Sequence, residues 1–160
     1  MHPNAELITA FYKAFQNLDS EAMAACYAAD AHFSDPVFTN LQGSHVADMW
    51  RMLSANAANF SLVFDGVSAD EQQGQAHWVA RYTFSKTGRP IINDIQATFR
   101  FHEGKIIDHQ DSFNLWRWSK QALGVKGILL GWTPIMQHMI QKQAAHSLAS
   151  YRKRHTATEV

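Results

Sequence analysis

Tyr27-Ala28-Ala29-Asp30-Ala31-His32-Phe33-Ser34-Asp35-Pro36-Val37 is the stretch on which the reading of this chain turns. Its first half reads as the end of a short helix and a turn. Residues 32–36 read as a short strand stopped by proline. Alternation along that strand puts Phe33 and Asp35 on one face and His32 and Ser34 on the other. A carboxylate that shares a face with an aromatic ring is a candidate buried acid or base with a raised pKa. Towards the other end, His109-x-Asp111-x-Phe113 repeats the arrangement on one face of a second predicted strand. If both strands line one pocket, Asp35, His109 and Asp111 form an acid/base site, with histidine the natural proton shuttle near neutral pH. The plainer alternatives are a turn-forming Asp35 before Pro36 and a surface His109–Asp111 pair on an edge strand. Phe113 and Leu115 on the same face argue for burial, and a buried histidine and carboxylate must pair.

Outward from these segments the periodicity is clear. Leu7, Ile8, Phe11, Ala14, Phe15 and Leu18 recur at helical spacing, so residues 4–17 read as a helix. Asp19, with Glu21 behind it, starts a second short helix. Ser44 is the expected N-cap of a third, with Val46, Met49, Trp50 and Leu53 on its apolar stripe. From residue 60 the period changes to two. Segments 60–70, 75–86, 90–102 and 105–117 read as strands, with turns at Lys86-Thr87-Gly88 and Glu103-Gly104-Lys105. Ser119 is read as the cap of a short helix to about Leu123, and Gly124, Gly127 and Gly131 as breaks. Residues 134–152 read as a helix with Ile135, Met139, Ile140 and Ala144 inward, followed by a solvated tail from Arg152. Helices first and a strand meander afterwards is an α+β pattern.

Composition excludes several classes. With 160 residues and an apolar fraction of 46%, the chain is expected to build one sizeable core. Lys+Arg and Asp+Glu balance at 14 each, so no nucleic-acid partner is expected. Cys26 stands alone, which excludes an internal disulfide; it reads as a buried, inert thiol in a helix. The longest apolar stretch, residues 127–136, is interrupted by Gly131 and Pro134 and is too short to span a bilayer. With no basic-then-apolar leader, the expectation is a soluble, cytoplasmic protein without a membrane partner. There is no HExxH motif and no cysteine cluster. His109-x-Asp111 with His138 or His146 outlines a two-histidine, one-carboxylate site only loosely, so neither a metal nor another cofactor is expected.

The order helix, helix, strand ending in Asp-Pro, helix, four-strand meander resembles the nuclear transport factor 2-like superfamily, in the group of ketosteroid isomerase and the SnoaL-like polyketide cyclases. The resemblance rests on Phe11-Tyr12, Tyr27-Ala28-Ala29-Asp30-Ala31, Ser34-Asp35-Pro36, Leu41-Gln42-Gly43, Thr98-Phe99-Arg100-Phe101, Gly104-Lys105-Ile106 and His109-Gln110-Asp111. It covers about residues 4–118. It implies a curved antiparallel sheet forming a cone, with N-terminal helices packed over it. Residues 1–125 would be the SnoaL-like domain and 126–160 a C-terminal helical extension and tail. That extra helix could cap the pocket, join a dimer or cover the back of the sheet. Homodimerisation through the outer sheet face is implied as well.

By the same resemblance Asp35 falls on the isomerase's catalytic base. The isomerase's two oxyanion donors are missing, because Phe11 falls at the tyrosine and Ala97 at the protonated aspartic acid. Steroid isomerase activity itself is therefore not expected. Limonene epoxide hydrolase, another relative, needs an Asp–Arg–Asp set, and Arg81 and Arg100 should point away from the pocket. The pocket walls implied are Phe11, Phe33, Trp50, Trp78, Tyr82, Ala97, Phe99 and Phe113, with Met49 beside Trp50 at the mouth. Asp94 and His32 should lie on the opposite face. The functional expectation is a cofactor-independent acid/base enzyme of isomerase, cyclase or hydrolase type acting on a small apolar carbonyl compound. The alternative is a non-catalytic ligand-binding or dimerisation module of the same fold.

Overall fold

The structure, a computed structural model, describes residues 1–156. Two helices come first, α1 (Pro3–Gln16) and α2 (Ser20–Ala24). Then follow β1 (Tyr27–Ser34), β2 (Leu41–Gln42) and α3 (Ser44–Ala55). Next come four strands, β3 (Ser61–Ala69), β4 (Gln73–Phe84), β5 (Arg89–His102) and β6 (Lys105–Ser112). Helices α4 (Leu115–Leu123), α5 (Val125–Leu130) and α6 (Pro134–Thr156) complete the described residues. The expected α+β architecture is the one observed, with a six-stranded, curved, unclosed sheet in the order β2-β1-β6-β5-β4-β3.

The helical stripe of α1 works as its spacing demands: Ile8, Phe11, Tyr12 and Phe15 are buried. Pro3 opens the helix and the His2 ring accepts the Asn4 N–H as its cap. Along β5 burial alternates residue by residue, with Ile91, Asn93, Ile95, Ala97, Phe99 and Phe101 inward and Ile92, Asp94, Gln96 and Arg100 outward. One sheet face therefore carries the core and the other meets solvent. β3, β4, β5 and β6 run antiparallel through successive hairpins, whereas β1 joins β6 in parallel. That pairing brings residues 76 positions apart into register, Phe33 opposite His109.

The structure corrects several local expectations. Tyr27–Ala31 is strand, not helix end: pairing with β6 overrides the helical bias of its alanines. Cys26 lies in the turn just before this strand, buried, with its thiol pushed up by burial. The cap of α3 is Gly43, whose φ of 61° only glycine adopts freely, and Ser44 is the first helical residue. β6 stops at Ser112, because the Asn114 side chain accepts the Arg117 N–H and starts α4. Leu115 therefore belongs to a helix, and Ser119 sits inside α4 instead of capping it. Gly127 does not break a helix but lies within α5, where a Cβ would stand 1.9 Å from the Ser119 carbonyl oxygen and push α4 and α5 apart. On α6 the inward residues are Ile140, Ala144 and Leu148, while Ile135 and Met139 are mostly exposed. Arg152, expected in a solvated tail, instead bridges α6 to Asp48 of α3. The last four residues of that expected tail lie outside the described residues.

Candidate active site

The buried face of the sheet, α3 and α6 enclose a cavity of about 480 Å³. Of the three candidate acid/base residues, Asp35 and Asp111 border it; His109 lies behind the wall, fully buried.

Asp35 follows the last residue of β1, in a loop closed by its own backbone. Its N–H donates to the Phe38 carbonyl at 2.9 Å. Its Oδ1 accepts the N–H groups of Val37 and Phe38 at 2.7 and 2.6 Å. Both the turn-forming and the cavity-lining readings of this residue are therefore present. Among the described residues Oδ2 accepts no hydrogen bond. Burial is the largest influence on the carboxyl and pushes its pKa up; the Phe38 N–H opposes this, the Asp111 charge adds to it, and the Val37 N–H opposes it again. The result is about 7.

Asp111 is held from behind by a hydrogen-bonded chain. The Trp50 indole N–H donates to the Tyr27 oxygen at 3.0 Å. With that oxygen engaged, the Tyr27 hydroxyl gives its own hydrogen to His109 Nδ1, 2.7 Å away. His109 Nε2 is thus left to donate to Asp111 Oδ1 at 2.9 Å. Phe11, Phe33 and Phe99 surround the imidazole, their ring centroids 5.7, 5.0 and 4.3 Å from its own. These three were expected on the pocket wall; they box in the histidine instead. Ala97 lies opposite Asp111 in the β5–β6 register, and its methyl is buried beside that strand rather than in the wall.

Trp50, Trp78, Tyr82 and Phe113 do line the cavity. Tyr82 has a defined role in the geometry. Its oxygen accepts the Trp118 indole N–H at 2.9 Å. Burial, outweighing that N–H, and the nearby Asp35 charge push its hydroxyl up to about 12, so it remains a neutral donor. Asn93, buried between Ile91 and Ile95 on β5, also reaches the cavity and makes no side-chain hydrogen bond among the described residues. Met49 is buried but does not reach the cavity. Tyr12, one residue from the expected tyrosine position, is fully buried, and its hydroxyl has no partner among the described residues.

The mouth is covered by α6, through Met139, Ile140, Gln143, Ala144 and Ser147. Polar ties hold it there. The Gln141 side chain donates to the Pro36 carbonyl at 3.1 Å, next to Asp35, and Lys86 reaches Ser147 Oγ at 3.2 Å. Of the three placements open for the C-terminal helix, capping is the one observed.

Other expectations resolve on the outer face. Arg81, Arg100, Asp94 and His32 are all exposed there, so no arginine joins the two aspartates. Asp94 and Asp65 hold His77 between them at 2.7 and 2.8 Å. His138 and His146 are exposed on α6, and no group of three or more metal-ligating side chains converges among the described residues. No helix there is long and apolar enough to cross a membrane.

Residues 8–109 match the model of the SnoaL-like domain. No curated protein matches the chain in sequence. Its fold is shared with a hypothetical protein of ketosteroid isomerase-like fold from Catenulispora acidiphila, solved with trimethylamine (18% identity, TM-score 0.66, 81% of this chain and 98% of that one). An LEH-like epoxide hydrolase of M. tuberculosis is similar to the same degree (18% identity, TM-score 0.64, 79% and 92% covered). So is a candidate polyketide cyclase from Xanthomonas campestris (20% identity, TM-score 0.63, 75% and 96% covered).

Proposed function

The chain belongs to the SnoaL-like domain family, and on that footing we propose that it is a cofactor-independent acid/base enzyme acting on a small apolar carbonyl compound. One observation carries the reading. Asp35 titrates near neutrality on the wall of an apolar cavity, beside a tyrosine hydroxyl that stays protonated. A base that titrates near neutrality and a donor that stays protonated are what such chemistry needs.

In this reading the Asp35 carboxylate removes a proton next to the substrate carbonyl. Tyr82, its oxygen already taken by the Trp118 N–H, donates its hydrogen to the oxygen where charge develops. Asn93 supplies a second donor from the neighbouring strand. Protonated Asp35 then returns the proton at another carbon, which gives an isomerisation; or the enolate carbon adds to a second carbonyl of the same molecule, breaking its C=O π bond, and Asp35 returns the proton to the resulting alkoxide, which gives a cyclisation. Asp111 holds a negative charge near Asp35 and so keeps its proton affinity high; His109, Tyr27 and Trp50 fix Asp111 in place. His109 acts through Asp111 and does not touch the substrate.

The test is deuterium exchange. Small apolar ketones are incubated with the protein in heavy water, and loss of the proton next to the carbonyl is followed by NMR. Exchange in the wild type that Asp35→Asn abolishes supports the assignment. Exchange that survives this substitution removes Asp35 as the base.

A second reading, a binding module without turnover, is favoured by the two backbone N–H groups on Asp35 Oδ1, which give that carboxylate a structural task. It predicts apolar ligands that bind equally to wild type and Asp35→Asn with no exchange in either. Homodimerisation through the outer sheet face, where Val63 and Ile92 are exposed, belongs to either reading; light scattering that gives a monomer removes it.

A further inference from the structure

A run of exposed apolar side chains lies at the junction of α5 and α6. Val125 is 70% exposed, Leu129 63%, Trp132 62% and Ile135 76%. Ile128, Leu130 and Met139 extend the same segment outward. Soluble surfaces scatter single apolar side chains; a contiguous run of this size marks a contact with something apolar. The rings are also held in place. Trp132 donates its indole N–H to the Leu129 carbonyl at 3.0 Å, so the polar end is satisfied while the ring stays outside. At the edge, Trp116 donates to the Ile128 carbonyl at 3.3 Å and carries the Lys120 ammonium 4.1 Å above its face.

The charge of the segment that carries this patch has one sign. No aspartate or glutamate occurs between Asp111 and Glu159, although the whole chain is balanced. Arg117, Lys120, Lys126 and Lys142 all fall in the segment that carries the patch. On α6, Ile135 and Met139 share a helical stripe with Lys142 and His146, apolar at one end and basic along its length. Exposed tryptophan and leucine in a segment that carries lysine and arginine and no carboxylate is the pattern of a peripheral contact with an anionic bilayer.

We propose that the α5–α6 junction docks this protein on anionic membrane surfaces. A second copy is the less suitable occupant. A two-fold interface places a patch against its own copy, and a segment with Lys120 and Lys126 and no carboxylate brings only positive charge to both sides of it. Met139 belongs both to the patch and to the cavity wall. The docked side is therefore the mouth side, and an apolar ligand dissolved in the bilayer would reach the cavity without crossing water. That last clause rests on the proposed function; the docking does not.

The experiment is flotation of the full chain with phosphatidylcholine vesicles, with and without phosphatidylglycerol, at low and high salt, and without substrate. We expect binding to the anionic vesicles only, weakened by salt. The pair Leu129→Glu with Trp132→Glu should lower it by about tenfold or more, and so should Lys120→Glu with Lys126→Glu. Lys126, Leu129 and Trp132 are exposed and Lys120 is half-buried against Trp116, so an unchanged circular dichroism spectrum and melting temperature control for folding. Failure to float with anionic vesicles, or flotation that both double variants retain, overturns the proposal. A dimer by light scattering that the Leu129/Trp132 pair dissociates also overturns it, because the patch would then be covered by a second copy. Vesicle binding is read without turnover, so its failure leaves the acid/base reading standing.

Discussion

Two carboxylates reach the same cavity, and the ends of β1 and β6 hold them in opposite ways. Asp35 sits in a loop after β1, where only backbone N–H groups oppose the cost of burying its charge. Asp111 sits on a strand and is tied by one oxygen to a chain of side chains that runs through His109 and Tyr27 to Trp50. The loop carboxylate is the one pushed to about 7, partly by the charge of the other. The comparison teaches a division of labour. In the proposed function, the base that must gain and lose a proton is placed where nothing but the turn depends on it. Its partner is anchored in the core, where a change of state would disturb several buried groups.

The sharpest way to break this division is Asp35→Asn. The amide oxygen can still accept the Val37 and Phe38 N–H groups, so the fold should persist while exchange or turnover falls by roughly 10²–10⁴-fold. Tyr82→Phe tests the donor side. It removes the hydrogen aimed at the developing charge and leaves the Trp118 N–H unpaired, with an expected loss of about 10²–10³-fold in kcat and a smaller change in KM. Either result in the absence of a folding defect places the chemistry at the β1 end of the cavity.

The stability of the protein should show the same contrast. Asp35 is about 7 when folded against an ordinary 3.8, so the folded state binds its proton more tightly than the unfolded state. Its contribution is fully present below about pH 4 and is lost as pH rises towards 7; at most about 4 kcal/mol is involved. Chemical denaturation across that window should show a decline that Asp35→Asn flattens, leaving the variant more stable than wild type above pH 7. At the β6 end the effect is one of fixed structure. Tyr27→Phe strands the Trp50 N–H and His109 Nδ1 inside the core and should cost about 1–3 kcal/mol with little dependence on pH. The smallest effect is expected at the lid. Arg152→Ala removes a half-buried ion pair to Asp48 and should cost about 1 kcal/mol, yet speed the release of a cavity-bound apolar dye.

How far these features were legible in the sequence follows from the kind of signal each left. The strands were readable because β5 alternates almost without interruption, and Asp35 because an Asp-Pro step after an alternating segment is a distinct local sign. Tyr27 was hidden by its alanine-rich neighbours, whose helical bias is overridden by the parallel pairing with β6. Trp118 was hidden because the strand was carried past Asn114, whose capping role cannot be told from an exposed strand position without the chain reversal that follows. Asn93 was overlooked although its spacing from Ile91 and Ile95 places it on the inner face. Periodicity also reports a face and not a depth. Phe11, Phe33 and Phe99 were correctly turned inward, but nothing local distinguishes a side chain that meets a ligand from one that meets a buried histidine. The lid was illegible for a different reason: the apolar residues of α6 serve two surfaces, one towards the cavity and one towards the exterior, so no single stripe emerges.

The most direct test is the titration of Asp35 itself, followed by the carboxyl carbon shift in NMR for wild type and Asp111→Asn. We expect a midpoint near 7 in the wild type that moves down when the Asp111 charge is removed. A midpoint in the ordinary carboxylate range, unmoved by Asp111→Asn, would contradict this, and Asp35 would then be no more than the turn that ends β1.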